Sequence, residues 1–268
     1  MTDWADLTQE LDEWADAGGG ATFWWRDDDA VEPTPALEQL LDLAMRHAAP
    51  LTLAVIPGRA SLALAARIIA AGDSAVPVQH GFAHRNHAPT PAKKAELGAD
   101  RSPSIVCEEL ARGQVRMAAL FGARVEAALV PPWNRIDDGL IPALAGLGFR
   151  ALSTLDPRSA AMAAPGLAQV NCHLDFMRWS APRGFAGTDA ALGRLLKHLQ
   201  DRRSGAADAA EPSGILSHHA AQDAGAWAFL DRLLAVLRGH PAARFVSLTE
   251  AVDAAFSGPI EARSLGAA

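Results

Sequence analysis

Short apolar, β-prone runs alternate with longer stretches of helical periodicity along the whole chain. Strands are expected at 22–25, 51–56, 76–79, 127–130, 149–153, 214–217 and 244–247. Helices are expected at 35–47, 61–71, 105–121, 140–147, 189–199, 224–238 and 249–256. In the first of these helices Leu37, Leu40, Leu41 and Ala44 share one face, behind Thr34 as N-cap and Pro35 at the first helical position. The last opens on Ser247-Leu248-Thr249-Glu250, a capping-box pattern. Strand-helix alternation with short connections predicts a parallel sheet covered by helices, either open or closed into a barrel. The segments 87–103 and 203–212 read as exposed loops, and the tail 261–268 as frayed. None of them divides the chain, so a single domain spanning 1–268 is expected, with its core at about 22–256.

Composition narrows the class. The chain has 268 residues, half of them hydrophobic, and no apolar run long enough to span a bilayer. Its formal charge of -7 argues against nucleic acid and against an anionic membrane as partners. Two cysteines, Cys107 and Cys172, are too few for a disulfide framework or a cysteine-rich zinc site. The N-terminal stretch is acidic and helix-forming, with neither the basic nor the apolar region of a secretory signal, so a cytoplasmic location is expected. Nothing in the sequence addresses the oligomeric state.

Five polar clusters stand out, and all but the fourth lie at or just beyond the ends of expected strands. They are Arg26-Asp27-Asp28-Asp29; His80-Gly81-Phe82-Ala83-His84; Val130-Pro131-Pro132-Trp133-Asn134; the stretch from Cys172 through Asp175 to Trp179; and Leu216-Ser217-His218-His219. Each has a plain structural reading alone: a solvated acidic turn, a surface histidine pair, a proline-stiffened loop, a polar-aromatic mixture, a rim histidine. Together they supply carboxylates, paired imidazoles, a fixed aromatic and a separate histidine at the end of a parallel sheet where such folds gather their sites. That set suits a hydrolase with one metal ion.

The five clusters, in this order, resemble the motifs of the polysaccharide deacetylase family, the nodulation-deacetylase homology domain, over about 22–256. The resemblance implies an irregular, seven-stranded (β/α) barrel. Two registers of the first motif are available, Asp27-Asp28 and Asp28-Asp29. The second is preferred because related sequences read Arg-x-Asp-Asp-small, as Arg26 to Ala30 do. It makes Asp28 the general base and Asp29 a metal ligand, with His80 and His84 completing the metal site and His218 as general acid. Pro132, Trp133, Asn134, Asp175 and Trp179 are then expected to bind substrate, and His87, His219 and Asp175 to support the site from behind. The family's third motif carries an arginine that orients the catalytic aspartate. Here that position is Val130, and Arg26 and Arg135 are the residues available to replace it.

The implied activity is metal-dependent hydrolysis of a non-peptide amide, foremost deacetylation of an N-acetylated sugar by water activated at a divalent ion, with zinc expected. The substrate would be a carbohydrate or another small molecule. The missing arginine motivates an alternative: a catalytically weak or inactive relative that binds a carbohydrate or a protein partner.

Overall fold

A computed structural model describes residues 1–257. The strands are β1 (Ala21–Ala30), β2 (Leu51–Val55), β3 (Ala75–His80), β4 (Ala128–Val130), β5 (Ala151–Leu152), β6 (Met162–Ala164), β7 (Leu167–Gln169), β8 (Leu174–Asp175), β9 (Met177–Arg178), β10 (Gly184–Phe185), β11 (Ser213–Ser217) and β12 (Ala243–Phe245). The helices are α1 (Trp4–Asp16), α2 (Pro35–Arg46), α3 (Leu62–Ala70), α4 (Pro103–Phe121), α5 (Ile141–Leu144), α6 (Thr188–Ser204), α7 (Ala224–Gly239) and α8 (Leu248–Ser257). None of the described helices is long and apolar enough to cross a membrane.

One mixed sheet runs in the order β6-β7-β5-β4-β3-β2-β1-β11-β8, with β12 beside the start of β1. All its pairings are parallel except β6 with β7. Phe23, Trp24 and Trp25 in β1 and all of β2 are buried, as expected of strands covered on both faces. The sheet is strongly curled. The continuous run 167–175 pairs with β5 through β7 and with β11 through β8, so strands from the two opposite sides of the sheet belong to one piece of chain. His173 N–H donates to Gly214 O (2.8 Å), and Trp24 Nε1 reaches across to Asn171 O (2.9 Å).

The mixed α/β class agrees with the sequence, but the strand set differs. Among the described residues the sheet has ten strands rather than seven. The expected strand 244–247 is β12, which touches only residues 21–23 of β1. The strands β6 to β10 were not expected. They are two or three residues long and poor in β-branched side chains, so the sheet, not local preference, extends them. Helix caps follow the expected chemistry. Thr34 Oγ1 accepts from Leu37 N (3.1 Å), and Ser247 and Glu250 exchange both capping-box hydrogen bonds (3.1 and 2.7 Å). The two expected loops are partly core: Ala95, Glu96 and Leu97 are buried in the first, and Glu211 in the second, whose first residues still belong to α6. The expected tail, 261–268, lies outside the described residues.

Candidate active site

The C-terminal ends of β1, β3, β4, β8 and β11 converge on one cavity of about 480 Å³. β1 delivers three consecutive aspartates there, in three different environments. A regular strand would place Asp27 and Asp29 on one face and Asp28 on the other. Pairing with β2 instead shifts register between Asp27 and Ala30, and Asp29 takes a left-handed backbone (φ 76°). This bulge brings Asp28 and Asp29 to the cavity together and leaves Asp27 facing away.

Asp27 is fully buried. It accepts from Ser217 Oγ (2.6 Å) and His219 N (2.9 Å) and pairs with His219 Nδ1. Trp25 Nε1 donates in turn to Ser217 Oγ (2.9 Å). This network ties β1 to β11, and it accounts for His219. His87 contributes only backbone, its N–H donating to Ala95 O (2.9 Å), and is not among the residues lining the cavity.

Asp28 is held by Arg26, two positions back on the same face. Arg26 Nε lies 2.9 Å from Asp28 Oδ1, and its Nη2 donates to Oδ2 at 3.1 Å. The same Nη2 donates to Asn134 Oδ1 (2.6 Å), and Nη1 to Ser153 Oγ (2.7 Å). Burial opposes the charge on this guanidinium, and the negative surroundings led by Asp28 more than restore it, leaving the Arg26 pKa raised. Arg135, by contrast, donates to Lys94 O (2.8 Å).

Asp29 faces the histidine pair. Its Oδ1 lies 3.2 Å from both His80 Nε2 and His84 Nε2 and has no hydrogen-bond partner, although it is buried. His80 Nδ1 lies 2.9 Å from Val130 O; a carbonyl only accepts, so Nδ1 carries a proton, and in the neutral ring the Nε2 lone pair faces Asp29. Burial alone would raise the Asp29 pKa, but the close approach and charge of His80, with His84, hold it well below the usual carboxylate range. Burial lowers His84. At His80 the opposing charges of Asp28 and Asp29 outweigh burial and favour a cation. An orphaned carboxylate oxygen between two imidazole nitrogens is the donor set of a divalent-metal site, and these residues fit such an ion.

The loop carrying His84 is shaped by Glu96, which sequence reasoning missed. Its carboxylate accepts from the backbone N–H groups of Phe82 (3.0 Å), Ala83 (2.9 Å) and Arg85 (3.2 Å). The only signal was an acid between Ala95 and Leu97 in a segment read as exposed. Gly81 permits the tight entry to this loop (φ 55°): a Cβ there would fall 2.1 Å from Glu96 Oε2 and 2.6 Å from the Pro132 ring.

His218, at the end of β11, places Nε2 4.0 Å from Asp28 Oδ2. Trp179 stacks edge-on against His218 (4.6 Å between centroids) and donates to Asp175 Oδ2 (2.7 Å). On the opposite side Trp133 lies 4.2 Å from His84, and Trp133 and Asn134 both have left-handed backbones (φ 57° and 56°). Of the expected substrate-binding residues, Trp133, Asn134, Asp175 and Trp179 line the cavity. Pro132 does not; it is buried behind it, against Gly81.

A second histidine-carboxylate group, His173, His198 and Glu211, is of another kind. The two rings stack at 3.5 Å with 11° between planes, so their in-plane lone pairs run side by side instead of converging. Glu211 already accepts from the backbone of Arg158 (3.0 Å) and Asn171 (3.3 Å).

The fold and the cavity define a class: the chain has the polysaccharide deacetylase fold. No family model matches it, and no curated protein matches it by sequence. Solved structures do. A candidate polysaccharide deacetylase from Mycobacterium smegmatis is similar with a TM-score of 0.65 at 15% identity, over 90% of this chain and 91% of that one. A CE4 family pseudoenzyme from Bacillus anthracis is similar with a TM-score of 0.57 at 15% identity, over 88% and 66%. A family 4 carbohydrate esterase from Streptomyces lividans, in complex with acetate, is similar with a TM-score of 0.53 at 18% identity, over 82% and 88%.

Proposed function

We propose that this protein is a divergent member of the polysaccharide deacetylase family and hydrolyses the amide of an N-acetylated sugar with a divalent metal ion. The observation that carries the reading is the unpartnered, buried Asp29 Oδ1 between His80 Nε2 and His84 Nε2, in the same cavity as Asp28 and His218. Asp29, His80 and His84 would hold the ion, with zinc as the expected metal. Bound there, a divalent ion polarises a carbonyl oxygen and lowers the pKa of water in contact with it.

This chain's own residues do the rest. Asp28 takes a proton from the attacking water as the C–O bond forms, and Arg26 fixes the carboxylate that receives it. His218 approaches the same region from β11 and gives a proton to the departing amine as the C–N bond breaks. The backbone N–H of Trp133 is the proposed donor to the carbonyl oxygen as it gains negative charge. Trp133 and Trp179 wall the sugar on opposite sides, and Asp175 sets the Trp179 ring. On this reading the run 167–175 is one stave of a closed barrel in which β11, β1, β2, β3, β4 and β5 are the others.

The alternative, a binding protein without turnover, took its motive from the arginine missing at Val130. The Arg26–Asp28 pair supplies that contact from within β1, and this supports the enzymatic reading. Metal analysis of the purified, zinc-reconstituted protein, paired with acetate release from a panel of N-acetylated sugars, tests it. Stoichiometric metal lost in His80→Ala, and acetate release abolished in Asp28→Asn, are the expected results. Bound metal with no acetate release from any substrate would overturn the enzyme in favour of a binding protein. Failure to bind metal after reconstitution would overturn the site.

A further inference from the structure

Each acid of the cavity has groups of its own facing it, and the cations at its mouth do not. Asp28 is paired with Arg26, and Asp29 faces two histidines. Both oxygens of Asp175 are taken, by Met177 N (2.9 Å) and Trp179 Nε1 (2.7 Å). Lys94, Arg135 and Arg183 also line this cavity, and among the described residues none of the three forms an ion pair with a carboxylate. Lys94 Nζ stands 6.0 Å from the centre of the Trp133 ring, the outer limit of a cation–π contact, so its charge is uncommitted. Arg183 comes from the other side, with Trp179, in the turn between β9 and β10. The chain has three lysines and a net charge of -7, so this concentration of positive charge runs against its overall balance. Aromatic walls alone are enough to hold a neutral sugar.

We propose that the cavity takes an N-acylated sugar that also carries an anionic group, a carboxylate or a phosphate. Lys94, Arg135 and Arg183 receive the anion at the mouth while the acyl amide lies over Asp28 and His218. The amide half of this statement rests on the deacetylase reading, whereas the charge half stands on the rim residues alone. A single anion moving between exposed cations gains a modest, salt-sensitive attraction from each, and the three together set a preference by charge.

The test is calorimetric binding to the full-length, zinc-loaded protein at low salt. N-acetylglucosamine 6-phosphate is compared with N-acetylglucosamine, and N-acetylneuraminic acid with its methyl ester. The expected result is about tenfold tighter binding of at least one anion than of its neutral counterpart, shrinking as salt is added. Lys94→Gln and Arg183→Gln should each cut that ratio by about two- to fivefold. Which pair shows the larger ratio distinguishes phosphate from carboxylate. Repeating the titrations on zinc-stripped protein separates the rim from direct ligation of the anion by the ion, which the rim variants would leave in place. Ratios within twofold of unity, absence of any binding, or a preference unmoved by both variants would overturn the proposal. Acetate release on the same panel is scored separately: an anion preference without it refutes the deacetylase chemistry and leaves the charge preference standing.

Discussion

Replacing Arg26 by methionine keeps the unbranched stem of the side chain and removes its charged end, and the structure sets the size of the effect. Arg26 is fully buried and Asp28 nearly so, at 2% exposure. Removing one partner of such a pair strands the other charge in a poorly solvated place, which costs about 3–5 kcal/mol. Ser153 Oγ and Asn134 Oδ1 lose donors as well; Asn134 lines the cavity, where water replaces part of that. A total near 4 kcal/mol corresponds to a fall in Tm of roughly 8–16 °C for a chain of this size.

The same reasoning fixes a second number. Asp28→Asn keeps the shape and removes the other charge, leaving Arg26 its contacts with Asn134 and Ser153. If the two charges stabilise each other, the double variant loses less than the sum of the singles, by about 2–3 kcal/mol. Urea unfolding with chelator present, followed by tryptophan fluorescence, reads all four proteins without a contribution from metal. An Arg26→Met cost below about 1 kcal/mol, or a double variant additive within about 0.5 kcal/mol, would refute the pair as the support of Asp28.

Three further outcomes follow from single contacts. Gly81→Ala sets a methyl group against Glu96 and Pro132 at a positive φ, so a loss of about 1–3 kcal/mol is expected, and an unchanged Tm would contradict it. Glu96→Gln offers one oxygen where three backbone N–H groups need acceptors; zinc affinity, measured by competition with a chromophoric chelator, should fall about 10–100-fold while circular dichroism stays native. Parental affinity in that variant would show that the loop holds His84 without Glu96. Burial pushes the Cys172 thiol up to about 12, so at pH 8 the folded protein should expose only Cys107 to a thiol reagent and Cys172 should react on unfolding; two fast thiols in the native state would refute this.

What could be read from the sequence was local. The spacing of His80 and His84 and the order Leu216-Ser217-His218 are short-range facts, and the strands that carry them are apolar enough to be seen alone. The strands of the run 162–185 were invisible because they are too short for a period, and β7 and β8 exist through partners outside the run: Ala168 beside Ala151, Leu174 beside Ile215. Glu96 was missed for a related reason, since its role lies in three N–H groups on another loop. Arg26 was closer to hand. It lies two residues from Asp28, and strand alternation already puts both on one face. Only the absence of any sequence sign for Asn134 and Ser153 as its other partners left Arg135 an equal candidate.

The three aspartates show how far alternation carries, and where it stops. Period two makes Asp27 and Asp29 equivalent, and on that basis the register Asp27-Asp28 is as acceptable as Asp28-Asp29. The bulge breaks the equivalence: one residue with positive φ turns Asp29 out of the strand's alternation and toward His80 and His84. Asp27 keeps the regular orientation and meets His219 and Ser217, which neutralise it without any ion. Three carboxylates in a row are thus tolerated because each has its own counter-charge: imidazole for Asp27, guanidinium for Asp28, and for Asp29 a place shaped for a cation. The first two are supplied by the fold, and on the proposed reading the third is left for a metal ion. It follows that the strained residue is the one that faces the open donor set, and relieving its strain with Asp29→Gly would remove the proposed metal ligand while leaving both neighbouring pairs intact.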